Sequence, residues 1–351
     1  MTASPTVVIE PQRLRAFAQE ILEKGSVPAN HAELVAQSLV ASNLRGVDSH
    51  GVQLLVFYLD HIQLENMNVS TRGRIASENG SCVVYEGDNG MGQVVSEECV
   101  GHAIRVAKQS GISIVVARES NHFGAAAYWS QRIADAGFIG LSLCNATPLV
   151  APWQGRDKRL GTNPICMAVP GARRWLLDMA TTTVALNKVY RAMLSGKPEI
   201  PVGWALDIEG NPTTDTQKAM EGSPMPLGGY KGSGLAVMVE ILCAVLSGGA
   251  ITTDVGGTRV FNHPMRVSHF FMAIDVARFL PLAEFEERME RLAASLKDGQ
   301  TAPGYDEVVI AGEPEWREEA RRLREGIPLD EGVWKALVET AAKVGVEAPV
   351  L

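Results

Sequence analysis

Cysteine is scarce in this chain: its 351 residues include five cysteines, and no two of them form a Cys-X-X-Cys pair. All five lie in apolar stretches, at Cys82, Cys99, Cys144, Cys166 and Cys243. Scattered cysteines of this kind are typical of small core residues in a reducing compartment, whereas disulfide frameworks and zinc sites need paired spacings. We therefore expect a cytoplasmic protein without structural disulfides.

Long apolar runs and an excess of positive charge are also missing. The N-terminus has no basic region followed by an apolar run, so we expect no signal peptide. The most apolar helix candidate, residues 234–246, is too short to span a bilayer and contains Glu240. The net charge of −8 disfavours nucleic acid, which needs a basic face. Neither a membrane nor a nucleic acid is expected as a partner.

The common nucleotide-binding motifs are absent as well. No Gly-X-X-X-X-Gly-Lys-Ser/Thr loop occurs, and the Gly-Asp-Asn-Gly-Met-Gly segment at residues 87–92 has the reverse of the Gly-X-Gly-X-X-Gly spacing. No acidic residue ends a second strand about 20 positions later, as a Rossmann dinucleotide site requires. We interpret residues 87–92 as an ordinary turn.

What the chain does contain is apolar sequence in helical and strand patterns, with 46% apolar residues. Short apolar runs alternate with helical segments in the middle of the chain, which predicts an α/β sheet covered by helices. We expect a helical part at 1–75, a central α/β domain at 76–280, and a helical part at 281–351 that packs with the first. The charged helices at 283–296 and 315–325 are interpreted as solvated faces.

The periodicity also predicts individual elements. Among the helices are residues 11–23, residues 30–44 with Asn30 as N-cap, and a third helix that follows Asp48 and Ser49. Strands are expected at residues 82–85, 112–117, 139–144, 165–169, 175–178 and 269–274. In the third helix, one apolar stripe is predicted to face the core, while the opposite face carries His50, Leu54, Tyr58 and His61.

Two histidines beside glycines are the first candidates for chemistry. His50 lies in Leu-Arg-Gly-Val-Asp-Ser-His-Gly at residues 44–51, and His122 lies in Ser-Asn-His-Phe-Gly at residues 120–124. A histidine exchanges protons near neutral pH, so two such positions favour acid–base catalysis. His122 falls where a strand gives way to a helix, the edge at which open α/β sheets bind ligands. The alternative is that either histidine is only a capping or loop residue.

Three further segments could hold an anion or a ribose. The glycine-rich run at residues 226–234 leads into a helix and carries Lys231, which suits a phosphate, although a plain turn before a buried helix explains it as well. Asp178 and a threonine cluster follow a predicted strand, with Lys188 downstream; ordinary sheets also contain such clusters. Thr162 lies in a polar Gly-Thr-Asn-Pro turn at residues 161–164.

Taken together, these segments resemble the malate/L-lactate dehydrogenase family of non-Rossmann oxidoreductases, whose relatives include ureidoglycolate, sulfolactate and diketogulonate dehydrogenases and Δ1-piperideine-2-carboxylate reductase. The matching motifs occur in family order over nearly the whole chain. They are the histidine motifs at 44–51 and 120–124, Ala-Pro-Trp-Gln-Gly at 151–155, Gly-Thr-Asn-Pro at 161–164, Leu-Asp-Met-Ala-Thr at 177–181, Gly-Gly-Tyr-Lys-Gly-Ser-Gly at 228–234 and Ala-Gly-Glu-Pro-Glu-Trp-Arg at 311–317.

The resemblance implies an NAD(P)-dependent oxidoreductase with an α/β/α sheet fold, a helical layer from both chain ends, and a homodimeric assembly. Hydride would pass between the nicotinamide and a 2-oxo or 2-hydroxy acid or a cyclic imino acid, with NADPH slightly favoured over NADH. His50 would be the proton donor, Ser49 would orient it, and His122 would lie at the nicotinamide and the substrate. The implied substrate contacts are Arg45, Leu54, Tyr58 and Thr162, and the implied cofactor contacts are His122, Asp178, Met179, Ala180, Thr181, Thr182, Lys188, Lys231, Gly312 and Glu313.

One position departs from the family pattern. Many members have an arginine four residues after the first histidine that grips the substrate carboxylate, and this chain has Leu54 there. A bidentate charged clamp is thus replaced by an apolar side chain. Arg45 could substitute only if the preceding loop folds back. We therefore expect a bulkier, less charged or cyclic-imine substrate.

Two rival functions come from other classes. A metal-dependent hydrolase or lyase could use His50, His122 and Asp48, but no His-Glu-X-X-His or similar ligand spacing occurs, so no metal site is expected. A catalytically retired nucleotide-binding protein of the same fold would also fit the loss of the arginine. The retained histidines and Lys231 argue against that second reading.

Overall fold

The computed structural model describes residues 6–171, 175–194 and 196–350. Its helices are α1 Pro11–Lys24, α2 Ala29–Leu44, α3 Leu55–Gln63, α4 Gly92–Ser110, α5 Ala126–Asp135, α6 Leu186–Leu194, α7 Thr216–Glu221, α8 Tyr230–Glu240, α9 Leu282–Lys297, α10 Glu313–Glu325 and α11 Glu331–Lys343. Its strands are β1 Thr6–Ile9, β2 Arg74–Asn79, β3 Cys82–Glu86, β4 Ile112–Ser120, β5 Phe138–Cys144, β6 Ile165–Ala168, β7 Leu176–Met179, β8 Ala205–Leu206, β9 Pro212–Thr213, β10 Ser223–Pro224, β11 Val267–Asp275 and β12 Ile327–Asp330.

A seven-stranded mixed sheet forms the centre, in the order β2-β3-β4-β11-β5-β6-β7. Only the β3–β4 pair is parallel, and the other neighbours in this sheet run antiparallel. A Rossmann sheet is mostly parallel, so this topology is a different one. The predicted α/β fold without a Rossmann domain is confirmed.

Both faces of the central sheet are covered, because side chains alternate along each strand. Val115 and Phe271 point to one face, where they join a buried cluster with side chains of α4 and α5. Val116 and Phe270 point to the other face and pack with Val239 of α8. The helix α8 continues into a π-helical turn, Ile241–Val245.

A second buried cluster lies among the helices and draws on both parts of the chain outside the sheet. Residues of α1, α2 and α3 pack there with Leu337 and Ala341 of α11. The strands β1 and β12 pair antiparallel, with Val7 opposite Leu329. The division of the chain into parts at 1–75, 76–280 and 281–351 stays a prediction.

The structure corrects three details of the sequence analysis. The third helix begins at Leu55, after two short 3-10 turns, because Gly51 between them is extended with φ −90° and ψ −158°. The helical face therefore does not run back to His50. The second helix begins at Ala29 with Pro28 at the N-cap position, so Asn30 is not the cap. Cys82 is exposed rather than in the core, since it begins the strand that follows a tight hairpin turn.

Candidate active site

One cavity of about 740 Å³ collects residues from separate parts of the chain. Its walls come from the turn before α3, the start of α5, the ends of β6 and β7, and the segment that leads into α10. The sequence-predicted site residues that line it are Arg45, Ser49, His50, Leu54, Thr162, Asp178, Met179, Ala180 and Gly312. The fold thus brings the two ends of the predicted motif series together.

His50 lies in the 3-10 turn Asp48–His50 and lines the cavity. Its Nδ1 atom lies 2.9 Å from the Ser49 hydroxyl oxygen. Burial lowers the pKa of His50 below the ordinary value of 6.5, because a charged ring is poorly solvated there. A hydroxyl can donate or accept a hydrogen bond, so Ser49 can serve either protonation state of the ring.

The turn that carries His50 is held from behind by a buried arginine of α10. Arg322 donates to both carboxylate oxygens of Asp48, at 2.7 Å and 3.1 Å. The Asn43 side-chain amide donates to Asp48 at 2.7 Å and accepts from the Val52 backbone at 2.9 Å. Arg322 is 6% exposed, so the helix 315–325 is not only a solvated face. The position of Arg322 within a run of charged residues did not predict its contact with Asp48.

His122 lies in the loop between β4 and α5, beside the first histidine. The rings of His50 and His122 are stacked with their centroids 5.7 Å apart. The Tyr58 hydroxyl lies 2.8 Å from His122 Nδ1, and the Gln93 amide donates to that hydroxyl at 2.9 Å. Burial, with the nearby rings of His50 and His269, lowers the pKa of His122 to about 3. The ring is therefore neutral at ordinary pH.

Arg45 supplies a positive charge to the cavity. Its guanidinium lies 4.3 Å from the centroid of the Trp316 ring, a cation–π arrangement. Its Nε and Nη2 atoms are buried and have no hydrogen-bond partner among the described residues. A buried donor without a partner costs free energy, so a ligand oxygen at this place would be stabilised.

Asp178 lines the same cavity at the end of β7. Burial raises the pKa of its carboxyl to about 6, while the Ala127 backbone N–H and Arg45 oppose that rise. The Ala127 N–H donates to it at 3.0 Å. Asp178 is exposed to the cavity and lies near the half-buried Arg45, so its carboxyl is available to a ligand there.

A second cationic side chain, which the sequence analysis missed, is Arg259. It lines the cavity and lies 4.9 Å from the centroid of the Phe57 ring. The backbone around it is fixed by His61 of α3, whose Nε2 is 3.2 Å from the carbonyl oxygens of Gly257 and Thr258. The segment has no motif of its own, and only its contacts in the fold reveal it.

Several predicted site residues lie outside the walls of this cavity. Tyr58 is fully buried behind His122 and so does not face a ligand. Thr181 and Thr182 are buried, and their hydroxyls donate to the carbonyls of Thr162 and Val184. Lys188 and Lys231 are exposed, and the Glu313 carboxylate pairs with Lys297 at 2.5 Å.

Among residues 6–171, 175–194 and 196–350, no group of three or more His, Cys, Asp or Glu side chains converges in a way that could hold a metal ion. No helix in those ranges is both long and apolar enough to cross a bilayer.

Comparisons with known proteins all give dehydrogenases. A family model described as malate/L-lactate dehydrogenase matches residues 9–338. The chain is 41% identical to malate dehydrogenase of Pyrococcus horikoshii over 97% of its own length and 96% of that protein. It is 35% identical to L-sulfolactate dehydrogenase of Methanocaldococcus jannaschii over 97% of its length and 98% of that protein. The solved structure of the Pyrococcus horikoshii enzyme superposes with a TM-score of 0.91, at 38% identity and 99% coverage of each chain.

Proposed function

This chain belongs to the malate/L-lactate dehydrogenase family, and from that premise we propose that it oxidises a small 2-hydroxy acid, and reduces the matching 2-oxo acid, with NAD(P). The main support is the convergence of His50, Arg45, Thr162 and Asp178 on one cavity. Relatives are named for malate and for sulfolactate. Both compounds carry a hydroxyl next to a carboxylate and a second anionic group.

The cavity suits the nicotinamide end of a dinucleotide. It holds about 740 Å³ and has apolar walls with a few polar groups, including the unpartnered Arg45 nitrogens. Asp178, Met179, Ala180 and Gly312 would hold the cofactor there. When bound, it takes up or returns the hydride at the substrate carbon.

Four predicted contacts outside the cavity belong to the same proposal. Thr181 and Thr182 would shape the turn that follows Asp178. Lys188 adjoins the cavity-lining Asn187, so its exposed ammonium could meet a ribose 2′-phosphate, which favours NADPH. Lys231 and Glu313 would act farther along the dinucleotide.

His50 is the group proposed to exchange the proton. In the direction of oxidation, its neutral ring takes the hydroxyl proton of the substrate; in the direction of reduction, the histidinium returns that proton to the oxygen. Ser49 orients the ring through Nδ1 in both directions. His122, whose ring stacks on that of His50, would reach the same oxygen from beside the cavity.

Two arginines are proposed to bind the anionic groups of the substrate. They would replace the family arginine whose position Leu54 occupies. Arg45 and Arg259 both line the cavity, and neither forms an ion pair with a described residue. A substrate with two anionic groups would neutralise both. Leu54 would then form the apolar wall beneath the carbon skeleton, and Thr162 would contact a substrate oxygen. A cyclic imino acid, with a single carboxylate, would neutralise one arginine only, so the two arginines lead us to propose a dianionic acid instead of the less charged substrate expected from Leu54 alone.

A second copy of the chain is proposed to cover α8 and its π-helical turn. Apolar side chains are exposed along this helix, at Val237, Met238, Ile241, Val245 and Leu246. A contiguous exposed apolar patch of this kind is characteristic of an interface. Light scattering should give the mass of a dimer for the full chain, and Ile241→Glu should shift it to the monomer; a monomeric wild type would exclude the assembly.

The first experiment is a titration of the protein with NADH and with NADPH, followed by nicotinamide fluorescence. Oxaloacetate, sulfopyruvate, pyruvate and a cyclic imino acid are then added one at a time. We expect binding, then oxidation of the nucleotide, with the two dianionic acids turned over at lower concentration than pyruvate.

Other outcomes decide between the alternatives. Binding without oxidation by any acid would support a retired enzyme, and binding of neither nucleotide would remove the proposal. Loss of activity in excess chelator would instead favour the metal-dependent hydrolase or lyase. Preference for the cyclic imine would point to the reductase reaction.

A further inference from the structure

Three polar side chains form a buried row that ends at the active site. Gln93 lies in the first turn of α4, Tyr58 lies in α3, and His122 lies in the loop after β4. Gln93 is 1% exposed and Tyr58 is not exposed at all. Polar side chains are seldom buried at this depth without a purpose, since each must find a partner there.

The hydrogen bonds in the row have a fixed direction. The backbone N–H of Gly124 points to His122 Nδ1 at 3.3 Å, and an N–H can only donate. Because Nδ1 must be unprotonated to accept from Gly124, the phenol hydrogen of Tyr58 also points to Nδ1 at 2.8 Å, and the phenol oxygen accepts from the Gln93 amide. Nδ1 thus accepts from both sides, and the ring hydrogen must be on Nε2.

We propose that Gln93 and Tyr58 are positioning residues that hold His122 as its Nε2–H tautomer, so that this ring donates one fixed hydrogen bond to the substrate oxygen. The inference rests on the proposed dehydrogenase function for its substrate. It divides the labour between the two histidines: His122 donates a hydrogen bond, and His50 exchanges the proton.

The surroundings of the row support a permanent arrangement. Burial raises the pKa of Tyr58 above its ordinary value of 10.0, so its hydroxyl stays a donor. The titratable groups that face His122 are His50, His269 and Tyr58, and none of them is an anion at neutral pH. Gly92 packs so closely that a methyl group there would collide with the backbone oxygens of Asn121 and His122. The backbone behind the ring therefore cannot shift without moving α4.

His50 has no comparable fixed donor at its Nδ1 atom. Its partner at Nδ1 is the Ser49 hydroxyl, which can donate or accept. A ring that must take up and release a proton needs a partner that can change its role. A ring that only stabilises charge on an oxygen benefits from a partner that always donates.

The test reads the tautomer directly. Nitrogen NMR of the full chain labelled with ¹⁵N-histidine distinguishes a protonated ring nitrogen from an unprotonated one, and the His122 signals are those that vanish in His122→Asn. We expect Nε2 protonated and Nδ1 unprotonated in the wild type. In Tyr58→Phe we expect both nitrogens to move towards averaged positions, and kcat to fall about 100-fold with the KM for the nucleotide unchanged.

Gln93→Leu should act in the same direction but less strongly, because the phenol remains and only its orientation is freed. Tyr85→Phe is the matched control: its hydroxyl is also buried and donates to the Arg72 carbonyl at 2.8 Å, away from the cavity. It should leave the His122 signals and kcat unchanged.

A protonated Nδ1 in the wild type, or a Tyr58→Phe enzyme with kcat within twofold of the wild type, would overturn the inference. The NMR measurement needs no substrate. If the wild type turns over no hydroxy acid, the proposed function fails, while the tautomer of His122 is still decided.

Discussion

His50 lines the cavity and His122 stacks against it from outside the cavity walls, and the two rings are held in opposite ways. His50 sits in a short turn, with one reversible hydrogen bond to Ser49. His122 has donors on its Nδ1 side from Tyr58 and Gly124, and its backbone is packed against α4. The two neighbouring rings are therefore restrained to different degrees. The residue proposed to change its protonation state has a partner that can change its role, and the ring beside it has fixed donors.

The contacts that hold the two rings in place also differ in kind. The turn of His50 is fixed as a unit by charged contacts from Arg322 to Asp48. The ring of His122 is fixed by neutral donors within the protein core. Removing a support should thus move the whole turn in the first case and only the ring in the second.

The largest effect is expected from His50→Asn. We expect kcat to fall about 1,000-fold, since general acid–base catalysis contributes about 10²–10⁴-fold. His122→Asn should cost less, about 50-fold, because a fixed hydrogen bond is lost and the proton acceptor remains. Steady-state rates and nucleotide titrations of both variants test the order. Near-normal turnover in His50→Asn would assign the proton to another group.

Arg322→Leu should destabilise the fold and weaken catalysis together. Breaking a buried ion pair from one side costs about 3 kcal/mol, since the Asp48 carboxylate is left without its partner. Urea unfolding and kcat at a temperature well below the transition measure the two effects. Arg324→Leu is the control, because that arginine is exposed on the same helix. A stable Arg322→Leu enzyme with full activity would show that the turn needs no support from α10.

Leu54→Arg tests whether the cavity has replaced the family's clamp. Leu54 is 8% exposed and lines the same cavity as Arg259, so a longer charged side chain would take up cavity volume and repel that arginine. We expect the KM of the acid to rise about tenfold, equivalent to about 1.4 kcal/mol, with little change in nucleotide affinity. Leu54→Met keeps the volume and should leave the KM near that of the wild type. Tighter binding in Leu54→Arg would count against the proposed division of recognition.

The remaining prediction concerns stability at acidic pH. His122 has a pKa of about 3 in the folded chain, below the ordinary value of 6.5, so the unfolded chain binds the proton more readily. The contribution of the neutral His122 ring to the free energy of unfolding is complete above pH 6.5 and is lost as the pH falls towards 3. The slope is at most about 1.4 kcal/mol per pH unit, and less where water reaches the ring. Thermal unfolding between pH 7 and pH 4.5 should decline less steeply in His122→Asn than in the wild type; equal slopes would show that this ring is protonated at little cost.

Periodicity and motifs predicted much of the molecule in advance. The alternation of short apolar runs located every strand of the central sheet except β2, whose residues are all exposed and so form no apolar run. The small sheet of β8, β9 and β10 was missed, since strands of two residues leave no period to detect. The first histidine motif lines the cavity through Ser49 and His50, while His122 lies beside His50.

The parts of the site that the sequence left hidden depend on contacts between distant segments. Gln93 looked like any polar residue at the start of a helix, and Arg322 like one charge in a charged run. Arg259 carries no pattern in its neighbours. Each acquires a role only through what the fold places beside it, which local spacing cannot encode.

The contact between Asp48 and Arg322 also bears on how the protein is made. The two residues are 274 positions apart, so a growing chain exposes the turn of His50 long before the helix that secures it has been synthesised. Contacts of such long range form late and slowly. The nascent enzyme should therefore stay inactive until α10 has left the ribosome and docked.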